Sequence, residues 1–247
     1  MYYIPKIDYK YWLSKSETEE TSGRSSSIQG IITNLTNKGY IKPGNILYDL
    51  VYTSDQKRKP MQDIWNDAKK ISTDLGSFEN DDKLLAIFDA IQIWGGRMGK
   101  GMYVMKGKNG IPTREEWKEW LPLYREAINL ATMNQPGDAL KILDNINQFG
   151  ISFATKHLGF WADYPIYDTR MSKMIFGKNP NVKDYDNYVN ILSKISTDEG
   201  INTFEVEQAL FTFSLNYFDN NLKKMNIKLQ YSNDIDEAIK IFNFRNK

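Results

Sequence analysis

An aspartate that opens a helix, a lysine one turn after a serine, and a glycine turn between two helices lie together from Leu143 to Phe176. The segment reads LDNINQFGISFATKHLGFWADYPIYDTRMSKMIF. A carboxylate at a helix start most often caps that helix. The same group can also position or deprotonate a water or an amine. Lys156 follows Ser152 by four residues and shares its helical face. Long helical side chains lean toward the N-terminus, so the Lys156 amine is expected to reach back above Ser152. A helix–glycine turn–helix presents backbone N–H groups that hold a phosphate without reading base sequence.

Composition limits what else the chain can do. It has 247 residues, a net charge of +1, no cysteine and a single histidine, His157. Thiol catalysis, disulfides, cysteine-zinc sites and histidine-rich metal sites are therefore excluded. No stretch reads as a transmembrane helix, and the N-terminus lacks the order of a signal peptide, so a cytoplasmic location is expected. Positive charge is clustered: no acidic residue lies between Asp89 and Glu115, where Arg97, Lys100, Lys106, Lys108 and Arg114 fall. Lys57, Arg58 and Lys59 form a second cluster, and Lys223, Lys224 and Lys228 a third. Such patches neutralise phosphates where contact occurs, although any one of them alone reads better as ordinary solvated surface.

The elements that must position these groups read as helices. SGRSSS (Ser22–Ser27) reads as a loop before a helix over about Ile28–Asn37, and Gly39–Pro60 as irregular, turning at Pro43-Gly44. Apolar spacing predicts helices over Met61–Leu75 and Asp81–Trp94, the second stopping at Gly95-Gly96. A basic glycine loop follows, with a short strand at Met102–Met105. Thr113-Arg114-Glu115-Glu116 reads as a capping box that starts a helix to about Met133 carrying Trp117 and Trp120. Further helices are expected over Pro136–Asn147, Ser152–Trp161, Asp168–Phe176, Tyr185–Ile195, Thr203–Leu222 and Asp234–Phe244. Pro165–Tyr167 reads as extended. With few strand signals the fold class is all-α or nearly so. The loop at 95–101 lacks a Walker lysine-serine pair, which argues against nucleoside triphosphate binding.

Gln148-Phe149-Gly150-Ile151-Ser152-Phe153-Ala154, followed by Pro165-Ile166-Tyr167-Asp168-Thr169-Arg170, resembles the helix-hairpin-helix DNA glycosylase superfamily, particularly its 8-oxoguanine glycosylase-like branch. That pattern is a glycine-hydrophobic-glycine-x-lysine hairpin, an alanine two residues on, then a Val-Asp-Thr-type segment. In this register Gly150 matches the second glycine, Ala154 the alanine and Asp168 the catalytic aspartate. Gln148 replaces the first glycine, and Ser152 stands where bifunctional members carry their nucleophilic lysine. Trp94-Gly95-Gly96-Arg97 and Glu205–Phe211 resemble segments of bacterial glycosylase-like proteins.

The resemblance implies a two-lobed helical unit over 1–247, with the helix-hairpin-helix segment at about 138–176. It implies release of a damaged or modified base, with 8-oxoguanine-type oxidised purines favoured. Breaking an N-glycosidic bond develops positive charge on the sugar, which a carboxylate opposite it stabilises. Asp168 takes that role. Lys156 is a displaced nucleophile, if its amine is neutral, or a phosphate ligand. Gly150, Ile151, Ser152 and Arg170 are expected on the DNA backbone. Reaching a base in duplex DNA requires flipping it against an aromatic surface. Trp94, Arg97, Phe153, His157 and Trp161 are the candidates for the base pocket, with Phe149, Phe160 and Tyr167 in the wider aromatic set. Most of these aromatics are expected in the core. No cofactor or metal is expected, the partner is DNA rather than membrane, and the protein is expected to be monomeric. The rivals are an inactive DNA-binding module on the same fold and a helical protein-interaction domain.

Overall fold

Asn45 starts a short helix that the sequence pattern did not suggest. Its side chain accepts the Tyr48 amide at 2.8 Å, and the helix buries Leu47, Leu50 and Val51. The computed structural model describes residues 4–18, 32–33, 35–37, 39, 41–74, 76, 78–95, 119–146 and 149–216. Among these the helices are α1 (Tyr9–Thr18), α2 (Ile46–Val51), α3 (Met61–Ser72), α4 (Asp81–Trp94) and α5 (Leu121–Thr132). There follow α6 (Pro136–Asp144), α7 (Ile151–Ala162), α8 (Thr169–Phe176), α9 (Tyr185–Glu199) and α10 (Thr203–Ser214). A 3-10 turn at Val182–Asp184 leads into α9. No strand occurs among the described residues, where the one isolated bridge joins Tyr52 to Arg58. The described fold is all-α.

Several expectations fall outside the described residues. They are the Ser22–Ser27 loop, the strand at Met102–Met105, the Thr113 capping box with Trp117, and the helix at Asp234–Phe244. Gln148, Arg97, Lys100, Lys106, Lys108 and Arg114 lie there too, as do Lys223, Lys224 and Lys228. Other boundaries are corrected. Trp120 sits in a turn, so helical residues among 119–132 begin at Leu121. α6 ends at Asp144 rather than Asn147. α9 runs on to Glu199, stopped by Gly200 in the left-handed conformation (φ 67°) that glycine adopts without penalty. Among the described residues, no helix is long and apolar enough to cross a membrane.

The chain divides into two compact units. One comprises 1–19, 130–144 and 150–247, and the other 20–129 and 145–149. In the second unit α4 is the central element. Asn80 caps it by accepting the Lys83 amide at 2.9 Å, and Asp81 and Asp82 complement the helix dipole. Every residue from Leu84 to Ile93 is buried, and α2 and α3 pack against this helix. Burying each Leu, Ile or Phe contributes about 1.5–3 kcal/mol relative to exposure. Arg125 fastens α5 to the turn before α4 through the Phe78 carbonyl (2.9 Å) and Asp81 (2.6 Å).

In the first unit α1 packs along α10, with the Trp12 and Phe213 rings edge to face at 5.5 Å. α9 packs on both α6 and α10, and α6 packs on α7. Asn202 and Glu205 cap α10 reciprocally, each side chain accepting the other's backbone amide (2.8 and 2.7 Å). These contacts frame α7 and the link that follows it.

Candidate active site

α7 is amphipathic in the sense a site requires. Ala154, Thr155, His157, Leu158, Gly159 and Phe160 are buried, whereas Ile151, Ser152, Phe153, Lys156 and Trp161 are half-buried. Its N-cap, Gly150, has ordinary extended geometry (φ −60°, ψ 159°) and makes no side-chain cap. Among the described residues, a Cβ added there would meet nothing within 4 Å. Neither backbone conformation nor packing within the described residues therefore demands glycine at 150.

The Lys156 amine reaches back one turn, as its position predicts. It donates to Ser152 Oγ at 3.2 Å and to the Ser152 carbonyl at 3.4 Å, and lies 4.6 Å from the centre of the Phe153 ring. An aromatic face attracts a charged ammonium. His157 is buried, with 1 % of its surface exposed. Burial first, and the neighbouring Lys156 charge second, hold its pKa well below the ordinary histidine value. It is a neutral packing side chain, closed to solvent.

After α7 the chain turns at Asp163 (φ 55°) and runs without regular secondary structure to Asp168. Asp168 caps α8 as expected, its Oδ1 accepting the Met171 amide at 2.9 Å. Among the described residues no hydrogen bond reaches Oδ2. The link is tied back to α7 by the Tyr167 amide, which donates to Thr155 Oγ1 at 2.9 Å. Thr155 in turn donates to the Ile151 carbonyl at 2.9 Å. One hydroxyl thus connects the backbone next to Asp168 with the first turn of α7. The Arg170 guanidinium donates to Ser214 Oγ at 3.2 Å and lies 5.9 Å from the Phe211 ring, so it is engaged by α10.

The aromatic set separates by burial. Phe149, Phe160 and Tyr167 are core residues, and Phe153 and Trp161 are half-buried on α7. Trp94 belongs to the second unit, where its ring lies 4.2 Å from that of Trp65. The basic cluster at 57–59 is largely spent internally, since Lys57 pairs with Asp55 at 2.7 Å and Lys59 with Asp67 at 2.6 Å.

A cavity of about 480 Å³ lies in the first unit between Asn134–Asp138, Tyr164 and the α9 residues Asp186, Val189, Asn190 and Ser193. Asp168 and Lys156 do not line it. Among the described residues no group of three or more His, Asp or Glu side chains could hold a metal ion.

Tyr185 and Tyr188 were not legible as site residues. Their hydroxyls donate to the carbonyls of Pro165 and Ile166, each at 2.9 Å. The only signal in the sequence was two tyrosines three apart, which place their side chains on one helical face. No family model matches the chain, and no match was found among curated proteins or solved structures.

Proposed function

We propose that the chain is a DNA glycosylase-like enzyme that releases a damaged or modified base, with Asp168 as its catalytic carboxylate. Oxidised purines such as 8-oxoguanine are the substrate class, on the strength of the sequence resemblance. The observation that carries the reading is the Tyr167–Thr155 hydrogen bond, which ties the backbone of the residue before Asp168 to the helix bearing Ser152 and Lys156. In this reading the Gly150–Ser152 turn receives a DNA phosphate at the start of α7. As the C1′–N bond breaks, the departing base takes the bonding electrons and the Asp168 charge stabilises the sugar cation. Water adds to C1′ and gives its proton to the carboxylate. Lys156, held against Ser152 and the Phe153 ring, contributes its charge toward phosphate.

The experiment is a panel of end-labelled duplexes carrying 8-oxoguanine, uracil or no lesion, with and without borohydride. Release of a lesion base without a trapped adduct is the expected result. A trapped adduct lost in Lys156→Ala assigns that amine as nucleophile instead. The absence of release from every lesion, with intact binding to abasic-site DNA, favours the second reading, an inactive DNA-binding module. Ser152 in the lysine position is the observation behind that reading. No DNA affinity at low salt contradicts both.

A further inference from the structure

The link from Asp163 to Asp168 has no regular secondary structure, so its backbone groups depend on other partners. Side chains supply them in succession. Thr203 donates to the Asp163 carbonyl, Tyr185 to the Pro165 carbonyl and Tyr188 to the Ile166 carbonyl, all at 2.9 Å. The Tyr167 amide then donates to Thr155. Residues 165, 166 and 167 are each pinned by a different side chain, and Asp168 is the next residue. The Tyr167 ring fills the space beside its two neighbours, 4.6 Å from Tyr188 and 5.9 Å from Tyr185, and its hydroxyl lies 3.0 Å from Ser172 Oγ. A helix cap alone needs none of this.

We propose that Tyr188 and Tyr185 are positioning residues for Asp168, fixing the Ile166 and Pro165 carbonyls so that the carboxylate is held in one place relative to α7. The catalytic consequence rests on the glycosylase reading, whereas the positional claim does not. The role requires both phenols to stay protonated, because a phenolate cannot donate. Burial pushes both well above the ordinary tyrosine range. The charge of Glu207, buried on α10, adds to this at Tyr188 and, after that of Tyr164, at Tyr185. Asp168 also raises Tyr188, which places the two groups within electrostatic reach.

Tyr188→Phe keeps the ring and removes only the donor. Tyr9→Phe is the matched control, since Tyr9 is another buried phenol donating to a backbone carbonyl, that of Pro5 at 3.3 Å. Two readouts are taken on the full chain. One is hydrogen exchange of the Ile166, Tyr167 and Asp168 amides, and the other is kcat and KM for base release. Misplacement of a catalytic group by about 1 Å costs on the order of 100-fold. Tyr188→Phe is therefore expected to lower kcat roughly 10- to 100-fold at nearly constant KM. It should also speed exchange of the link amides by about tenfold or more, the order expected for losing one hydrogen bond. Tyr9→Phe should do neither. Thr155→Val should reproduce the effect and Thr155→Ser restore it. Link exchange in Tyr188→Phe equal to that in Tyr9→Phe overturns the proposal, as does a kcat loss without faster exchange. Should the wild-type chain release no base, exchange alone decides the positioning claim, and the functional reading fails separately.

Discussion

The two ends of α7 are each marked by a glycine, and the two glycines answer to different demands. At the C-terminal end, a Cβ on Gly159 would lie 2.8 Å from the Phe204 ring and 2.9 Å from the Tyr164 carbonyl. That glycine exists so that α10 and the Asp168 link can close on the helix. At the N-terminal end, a Cβ on Gly150 would meet nothing within 4 Å among the described residues, and the backbone there is one that any residue adopts. One end of the helix is specified by folding. The other is left open among the described residues and lies six residues before Lys156, the only lysine on the helix.

The largest expected effect comes from closing the packed end. Gly159→Ala forces either an aromatic ring or backbone to shift and should cost about 1–3 kcal/mol, read as a lower urea midpoint. An unchanged midpoint would remove the distinction between the two ends. His157, on the buried face between them, gives a pH-dependent test. Its folded-state pKa is depressed, so on acidification the unfolded chain binds the proton first. Its contribution is complete above the ordinary value of 6.5 and is lost as pH falls below that value. The loss is at most about 1.4 kcal/mol per pH unit. As the single histidine in the sequence, it should account for the slope between about pH 6.5 and 5, above the main carboxylate range. His157→Asn should flatten that slope in thermal unfolding. The smallest effect on stability is expected at the open end, where Gly150→Ser should change it by no more than about 0.5 kcal/mol. The same substitution should weaken duplex binding roughly tenfold, equivalent to about 1.4 kcal/mol. Equal DNA affinity would mean that nothing approaches that glycine.

Elements with strong local signals were legible. α4 appears over Asp81–Trp94 as its apolar spacing predicts, and α8 runs from the Asp168 cap to Phe176. α2 was hidden because it is only 6 residues long and follows the Pro43-Gly44 turn, with Asn45 as its one local mark. The end of α9 was misjudged although Gly200, a helix stop, was in view. Within the site, Asp168 as a cap and the Lys156 reach over Ser152 follow from position on a helix. The roles of Thr155, Tyr185 and Tyr188 do not, because each bonds to a backbone group 12 or more residues away. Spacing in the sequence carries no trace of such pairings. The same holds for His157, whose burial depends on what the other helices place over it.

Asp168→Asn tests the central claim most directly. Asparagine caps a helix as well as aspartate does, so the fold and the affinity for duplex should persist. In single-turnover release of the lesion base that the wild-type chain removes, the variant should be slower by about 100-fold or more. Release at the wild-type rate would contradict the assignment of Asp168 as the catalytic carboxylate.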